Sequence, residues 1–300
     1  MKTFYEIRTF LTDRMIKKLS TYKRLINIRL LLIQIYELEM SKMKVIILAG
    51  GWGTRLGRRT ELIPKPMVNI GNRPIIWHIM KIFSFYGYND FIICLGVKGE
   101  VIKDYFYTVD MKNNDFTIDL SSKKVQFHGN DIGEKWKVTL VDTGLNTLIG
   151  GRIKRIEKYL DSDVNMITYG DGVADININH LIEYHKSHGK ILTITGVYPP
   201  ARFGELQEKD GEVISFKEKP QTSVGLINGG FMVFNNKLLD YLTPDEDCGF
   251  EYGALEKLTE KGEVMVFKHA GNWECMDHER DVTHLNRLWN SNQAFWKIWD

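Results

Sequence analysis

A glycine-rich stretch near residue 50 carries the residue types best suited to hold phosphate groups. An apolar run over residues 44–49 leads directly into three glycines, a threonine and an arginine: Gly50, Gly51, Gly53, Thr54 and Arg55. Glycines let backbone N–H groups approach a phosphate because no Cβ stands in the way. The hydroxyl and the guanidinium add further donors. The stretch therefore predicts a loop that binds a polyphosphate.

A lysine held between two prolines stands twelve positions after Gly53. Pro64 and Pro66 restrict the backbone on either side of Lys65, so its ammonium is directed toward one place. The glycines alone are weak evidence, because such loops are often only tight turns, and neither the dinucleotide pattern nor the Walker P-loop is present. The glycines, the arginine and the braced lysine together indicate a triphosphate substrate and a charged transition state.

Two aspartates have surroundings suited to a hard cation. Asp171 lies between Gly170 and Gly172 at the end of an apolar run, and Asp277 follows residues 273–276. Mg²⁺ prefers one or two carboxylates together with phosphate oxygens. Each aspartate also has a structural alternative, since a Gly-Asp-Gly segment can form a simple turn and Asp277 can cap the helix that follows.

Two further segments have the donors and acceptors that a sugar phosphate requires. Glu218 and Lys219 precede a proline, and Asn228 precedes Gly229 and a second glycine. A carboxylate accepts sugar hydroxyls while an ammonium meets the phosphate, and an amide does both kinds of hydrogen bonding. Taken alone, the first segment would be interpreted as an exposed charged turn and the second as a hairpin turn.

Predicted strands and helices alternate along the chain and hold these residues in place, which indicates a doubly wound α/β sheet. Strands are predicted at 44–49, 90–95, 136–141, 166–169, 191–197, 212–217 and 230–234. Helices are predicted at 74–87, 99–107, 150–160, 178–188, 250–261 and 278–289. Residues 110–135 are weakly patterned and predict a loop or hairpin insertion. The glycine loop and both aspartates follow strands, at the end of an open α/β sheet that carries the ligand crevice.

Composition sets the outer limits. The 300 residues are 43% hydrophobic and 26% charged, with a net charge of only +2, so no general nucleic-acid binding is expected. The three cysteines are far apart and form no Cys-x-x-Cys pair. A disulfide framework and a zinc site are therefore not expected, and a reducing cytoplasm fits.

The first 42 residues differ from the rest, with nine basic and four acidic residues and a net charge of +5. The apolar run at 25–33 is too short for a membrane span and Arg29 interrupts it. A membrane-surface helix is one interpretation. An extension before a start at Met43, disordered or helical, is favoured, because the first core strand begins directly after Met43. Two parts are thus predicted: an extension at 1–42 and a catalytic domain at 43–300.

The order of these segments resembles that of the sugar-phosphate nucleotidylyltransferases over residues 43–300, and most closely the glucose-1-phosphate cytidylyltransferase branch. The segments that carry the resemblance are 71–81, 137–144, 150–155, 169–175, 199–204 and 296–299. The resemblance implies a Rossmann-like nucleotidyltransferase fold with a mixed, mainly parallel sheet, a small β insertion and a helical C-terminus. It also implies a homo-oligomer.

The implied reaction joins CTP and α-D-glucose 1-phosphate to give CDP-glucose and pyrophosphate with Mg²⁺, for the synthesis of CDP-sugars and cell-surface polysaccharide. The resemblance makes Lys65, Arg55 and Asp171 catalytic and gives the metal to Asp171 and Asp277. It assigns the nucleotide to Leu48, Gly50, Gly51, Gly53, Thr54, Arg55, Lys65, Thr143, Gly144 and Arg152. It assigns the sugar phosphate to Gly172, Glu218, Lys219, Asn228 and Gly229.

The chain departs from the family pattern at Ile63, at Ile149, and at Gly253 and Ala254 after a retained Glu251. None of these changes removes Lys65 or the aspartates, so they bear on base and sugar preference. Two alternatives stay open: a sister enzyme that uses another nucleotide or another sugar 1-phosphate, and an inactive regulatory subunit that binds nucleotide sugars. The retained lysine and aspartates favour an enzyme.

Overall fold

The apolar run that precedes the glycine loop is the inner strand β1 of a seven-stranded sheet. Its four residues, Val45–Leu48, are all buried. They pair in parallel with Asp90–Leu95 on one side and Val164–Tyr169 on the other. A strand covered on both faces has no solvent side to place polar residues on, so its sequence is continuously apolar.

The computed structural model describes residues 42–128, 133–199, 205–209, 212–217 and 225–299. Residues 1–41 of the predicted extension lie outside the described residues, and so do Glu218 and Lys219. Met43–Asp300 make up one compact unit. Among the described residues, no helix is both long enough and apolar enough to cross a membrane.

The strands and helices have the following bounds. The strands are β1 Val45–Leu48, β2 Asn69–Ile70, β3 Arg73–Pro74, β4 Asp90–Leu95, β5 Phe116–Asp119, β6 Lys124–Phe127, β7 Lys137–Asp142, β8 Val164–Tyr169, β9 Gly172–Ala174, β10 Leu192–Val197, β11 Glu205–Lys209, β12 Glu212–Lys217, β13 Ile227–Asn235, β14 Val264–His269 and β15 Trp273–Cys275. The α-helices are α1 Ile75–Phe85, α2 Gly99–Asn113, α3 Ile149–Arg155, α4 Ile178–His188, α5 Glu256–Glu260 and α6 Glu279–Asn290.

The main sheet has the order β14-β10-β13-β8-β1-β4-β7. Strand β13 runs antiparallel to both of its neighbours, and the other pairs are parallel. The prediction of a mixed, mainly parallel sheet is therefore confirmed. The insertion is also confirmed, as the hairpin β5–β6, and α6 gives the chain its helical end.

Three helices differ from their predicted bounds by more than two residues. The helix predicted at 150–160 ends at Arg155, and a separate 3-10 turn follows at Glu157–Tyr159. Helix α2 continues to Asn113 rather than ending at Tyr107, because no glycine or proline interrupts the chain there. The single helix predicted at 250–261 is wrong. A π-helical turn at Phe250–Leu255 is broken at Gly253, whose φ of 137° no helix allows, and only Glu256–Glu260 is α-helical.

Helix α1 anchors the carboxy-terminal segment through its buried face. His78 is fully buried and its Nε2 donates to the carbonyl of Ile70 at 2.9 Å. The Nδ1 atom accepts from Nε1 of Trp296 at 3.4 Å, and Trp289 meets the His78 ring edge-on at 4.6 Å between centroids. The group formed by Trp77, His78, Trp289, Trp296 and Trp299 is called the aromatic junction below.

Candidate active site

Parallel pairing brings the glycine loop and Asp171 side by side. Leu48, the last residue of β1, pairs with Tyr169, the last residue of β8. The N–H of Gly170 then donates to the carbonyl of Leu48 at 3.1 Å. A Cβ on Gly170 would lie 2.9 Å from Cγ of Pro66, so the glycine permits the lysine turn to pack closely.

A short antiparallel pair brings the second aspartate to the same place. Strand β15 pairs with β9, directly after Asp171. The N–H of Met276 donates to the carbonyl of Asp171 at 2.9 Å, so Asp277 follows within reach of it. The backbone N–H of Asp277 donates to Asp281 in the first turn of α6 at 3.0 Å. His278, rather than Asp277, is the N-cap of this helix, so the capping alternative for Asp277 is wrong.

Lys65 joins the two aspartates. Its Nζ lies 2.5 Å from Oδ2 of Asp171 and 2.6 Å from Oδ1 of Asp277. A short 3-10 turn, Lys65–Met67, begins after extended Pro64 and directs the side chain inward. Burial acts to lower the pKa of the Lys65 ammonium, but the two carboxylates outweigh it and raise that pKa. Lys65 is therefore a fixed positive charge at neutral pH.

Arg55 completes the charged group from the glycine loop. One guanidinium nitrogen lies 2.8 Å from Oδ2 of Asp277, while the Arg55 side chain remains 64% exposed and free to reach a ligand. Partial burial acts to raise the pKa of Asp277, but the hydrogen bond and charge of Lys65, with Arg55, lower it. We call Lys65, Arg55, Asp171 and Asp277 the charged junction.

The charged junction fits a hard divalent cation. The two carboxylates converge on one point, since the same ammonium lies within hydrogen-bonding distance of both. In the part of the chain that the structure describes, no cluster of three or more His, Cys, Asp or Glu side chains could hold a metal. Two carboxylates without a full protein cage suit Mg²⁺, which keeps waters and phosphate oxygens as its other ligands.

A cavity of about 620 Å³ opens beside this group. Ten of the residues predicted for the site line it: Leu48, Gly50, Gly51, Gly53, Thr54, Arg55, Lys65, Arg152, Asp171 and Asp277. Residues that were not predicted complete the wall, among them Trp52, Leu145, Leu148, Tyr169, Trp273 and Cys275. The other five described residues of the predicted site are next to lining residues. Thr143 and Gly144 accept hydrogen bonds from Arg152, Gly172 follows Asp171, and Asn228 and Gly229 bond to Tyr169 and Trp273.

Arg152 ties the glycine loop to the segment that follows β7. It is only 5% exposed, and its guanidinium donates to five oxygens: the carbonyls of Gly50, Leu95, Gly144 and Leu145 and the hydroxyl of Thr143. A Cβ on Gly50 would lie 2.3 Å from the guanidinium. Burial lowers the pKa of Arg152. Gly50 is thus a glycine because the arginine packs against its backbone.

The described part of the predicted sugar site is a small polar network. Asn228 donates from Nδ2 to the hydroxyl of Tyr169 at 3.3 Å. That hydroxyl donates in turn to Oε1 of Glu251 at 2.8 Å, and burial with the Glu251 charge raises the pKa of Tyr169 well above its usual range. The carbonyl of Gly229 accepts from Nε1 of Trp273 at 2.7 Å.

Sequence reasoning missed Tyr169 and Trp273, although both border predicted residues. Tyr169 ends the strand that leads to Asp171, and Trp273 begins the strand that leads to Asp277. Of the three departures, Ile149 lines the cavity, Ile63 is half-buried, and Gly253 has the positive φ that breaks the predicted helix.

The chain as a whole is similar to several known proteins. Residues 44–296 match the family model described as nucleotidyl transferase. The glucose-1-phosphate cytidylyltransferases of Salmonella typhimurium and Salmonella typhi are each 46% identical over 259 residues, which is 86% of this chain and all of each relative. A solved UDP-glucose pyrophosphorylase in complex with UDP-glucose has a TM-score of 0.60 at 15% identity, covering 83% of this chain and 99% of that one. That structure bears out the fold.

Proposed function

The chain belongs to the nucleotidyl transferase family, and we propose that it is the enzyme that makes CDP-glucose and pyrophosphate from CTP and α-D-glucose 1-phosphate. The charged junction is the observation that carries the proposal. A cationic Lys65 that two carboxylates hold beside a glycine loop is suited to phosphoryl chemistry. The similarity to the cytidylyltransferases supports the choice of CTP and of glucose 1-phosphate.

In this reaction a phosphate oxygen of glucose 1-phosphate attacks the α-phosphorus of CTP in line. The new bond forms as the bond from the α-phosphorus to the bridging oxygen breaks, and pyrophosphate leaves with that electron pair. No protein nucleophile is needed, so the protein contributes positioning and neutralisation of charge. We assign Lys65 to the α-phosphate and the sugar phosphate, which brings two anions together around one ammonium.

The triphosphate end is assigned to the glycine loop. The backbone of Gly50, Gly51 and Gly53 admits the β- and γ-phosphates closely, and Thr54 and Arg55 donate to them. Arg55 is suited to this because its contact with Asp277 leaves most of its side chain exposed. A guanidinium that moves from a carboxylate to a phosphate exchanges one charge-assisted pair for another.

Mg²⁺ is assigned to Asp171 and Asp277. When bound, the ion polarises the α-phosphate and neutralises charge on the departing pyrophosphate. The two carboxylates already lie within hydrogen-bonding distance of one ammonium, so both could also reach one metal ion.

The cytosine is assigned to the wall formed by Leu48, Thr143, Gly144 and Arg152. The Arg152 hydrogen bonds fix the backbone of residues 143–145 against the glycine loop. Arg152 lines the cavity and is our candidate cytosine contact, and its hydrogen bonds to residues 143–145 also shape this wall.

The glucose phosphate is assigned to Gly172, Asn228 and Gly229 together with Glu218 and Lys219. Lys219 would meet the phosphate and Glu218 the hydroxyls. We further propose that the protein acts in the cytoplasm as a homo-oligomer, and that its product enters CDP-sugar and cell-surface polysaccharide synthesis.

Release of pyrophosphate in the presence of glucose 1-phosphate and Mg²⁺ tests the proposal, with CTP, UTP, dTTP, ATP and GTP in parallel reactions. We expect CTP to be strongly preferred and turnover to stop when EDTA removes the metal. Better turnover with another nucleotide would mean that the wall around residues 141–152 recognises a different base. No release with any nucleotide would favour another sugar 1-phosphate or an inactive binding subunit.

A further inference from the structure

Two aromatic side chains that line the cavity shortly precede the two aspartates in the chain, and phosphate chemistry does not account for them. Tyr169 ends β8, two residues before Asp171, and Trp273 begins β15, four residues before Asp277. Both residues line the cavity. Ligand cavities are lined mainly by apolar and aromatic side chains, which the bound ligand covers.

The polar atom of each ring is already engaged within the protein. The Trp273 indole donates from Nε1 to the carbonyl of Gly229 at 2.7 Å. The Tyr169 hydroxyl donates to Glu251 at 2.8 Å and accepts from Asn228 at 3.3 Å. Tyr169 is therefore held by the Asn228 side chain and Trp273 by the Gly229 carbonyl. Both rings offer the cavity carbon surface rather than free hydrogen-bonding groups.

This carbon surface lies beside residues that are assigned to the sugar phosphate. A Cβ added to Gly172 would lie 3.6 Å from Nε1 of Trp273, so the indole lies beside two glycines assigned to the sugar phosphate. A Cβ added to Gly230 would lie 2.6 Å from Cδ2 of Tyr169. The Tyr169 ring thus packs directly on the β13 backbone, which has no side chain at that point.

We propose that Tyr169 and Trp273 are hexose-positioning residues that hold the pyranose ring by its apolar C–H surface. The inference rests on the proposed function, because it concerns the sugar half of that reaction. A pyranose presents hydroxyls around its edge and C–H groups on its faces, so carbon walls orient the ring while polar groups select its hydroxyls. Correct orientation places the sugar phosphate beside Lys65 for attack.

Binding measurements with Trp273 variants separate sugar recognition from nucleotide recognition. Titration calorimetry gives the Kd values of CDP-glucose and of CTP for the wild type, Trp273→Ala, Trp273→Phe and Tyr169→Ala. We expect Trp273→Ala and Tyr169→Ala to weaken CDP-glucose about tenfold or more and to change the Kd of CTP less than twofold. Trp273→Phe keeps a ring and loses the N–H donor, so it should weaken CDP-glucose by threefold or less.

Tyr252→Ala is the matched control, because Tyr252 is a neighbouring aromatic residue that is 87% exposed and does not line the cavity. Its two Kd values should equal those of the wild type. Steady-state kinetics should agree, with a higher KM for glucose 1-phosphate in Trp273→Ala and an unchanged KM for CTP. If Trp273→Ala does not fold, Trp273→Leu keeps an apolar side chain without the ring, and the same tenfold weakening is expected.

Parallel weakening of CDP-glucose and CTP would overturn the inference, because Trp273 would then only support the fold. Unchanged binding of both ligands would overturn it as well. Failure of the proposed function gives a different result. In that case the wild type itself would bind neither CTP nor CDP-glucose, or would bind another nucleotide sugar more tightly.

Discussion

The charged junction and the aromatic junction make the same long-range connection with opposite chemistry. Lys65 meets Asp277 across 212 positions of the chain, and His78 meets Trp296 across 218. Both connections tie the first part of the domain to its end. In the charged junction the contacts are ion pairs between side chains that line a cavity. In the aromatic junction they are ring packing and hydrogen bonds around a fully buried imidazole.

The two junctions differ in their exposure to solvent. Trp296 and His78 are completely buried, and aromatic burial stabilises a fold without any ligand. The ion pairs of Lys65 are partly exposed at their carboxylate ends, and desolvation offsets much of the attraction in such pairs. The aromatic junction therefore stabilises the fold, while the charged junction is the one that the proposed function uses for anionic ligands.

Trp296→Ala has the largest expected effect. Loss of a fully buried tryptophan leaves a cavity and should lower the free energy of unfolding by about 3–5 kcal/mol, which corresponds to a fall in Tm of roughly 10 °C. Thermal unfolding followed by circular dichroism measures it. At a temperature where the variant is folded, the KM for CTP should match the wild type. A Tm within about two degrees of the wild type would contradict the claim that the aromatic junction stabilises the fold.

Lys65→Met should lower kcat strongly and Tm only slightly. Removal of the ammonium should cost about 3–4 kcal/mol of transition-state stabilisation, or a hundredfold to a thousandfold in kcat. We expect its Tm to fall less than that of Trp296→Ala, because the cavity lets solvent cations approach the two carboxylates. Pyrophosphate release and thermal unfolding on the same preparation give both numbers. Full turnover together with a Tm as low as that of Trp296→Ala would reverse the assignment of the two junctions.

Acid should weaken the aromatic junction through His78. Burial lowers the pKa of His78 from 6.5 to about 4, so between these values the unfolded chain binds a proton that the folded chain does not. The free energy of unfolding should therefore fall as the pH drops from 6.5 to 4, by about 3 kcal/mol from this residue. Urea unfolding across this range measures the slope.

His78→Gln provides the comparison for that slope, since it removes the titrating group and keeps a side chain that can hydrogen bond. Its pH dependence should be shallower than that of the wild type. His185 remains and, because burial also lowers its pKa to about 4, it should preserve part of the slope. Identical slopes in the wild type and the variant would show that His78 does not titrate in this way.

The exposed pair of Arg59 and Glu279 has the smallest expected effect. It lies 2.6 Å apart beside the charged junction, with both side chains about half exposed. Exposed ion pairs contribute roughly 0–1 kcal/mol, so Glu279→Gln should change neither Tm nor kcat measurably. A large loss of kcat would show that this pair also contributes to catalysis, as the charged junction is expected to do.

Much of the fold was predictable because buried strands are continuously apolar and helices with one buried face have apolar residues at helical spacing. The strand at 90–95 and the helix at 178–188 have their predicted bounds. The prediction failed where backbone conformation outweighed pattern, as at Gly253. It also missed β9, which has only three residues and exists because it pairs with β15, and the edge strand β14 of the main sheet.

The site shows the same limit. Residues with distinctive chemistry at distinctive spacing, such as Lys65 and Asp171, could be named from the sequence, and the structure brings them together. Tyr169 and Trp273 could not, because an aromatic residue in an apolar strand resembles any core residue. Only the pairing of β15 with β9 and the position of β13 place them at the cavity. Glu218 and Lys219, outside the described residues, stay predictions.

Competition among five nucleotides for one enzyme preparation tests most directly whether the chain is a CTP-dependent enzyme. Glucose 1-phosphate, Mg²⁺ and equal concentrations of CTP, UTP, dTTP, ATP and GTP are incubated together, and the nucleotide sugars formed are separated by anion exchange and identified by mass. The relative initial rates give the ratios of kcat/KM directly. We predict that CDP-glucose is the dominant product and that Lys65→Met forms it about a hundredfold to a thousandfold more slowly. A different nucleotide sugar as the main product, or undiminished CDP-glucose from Lys65→Met, would contradict the account.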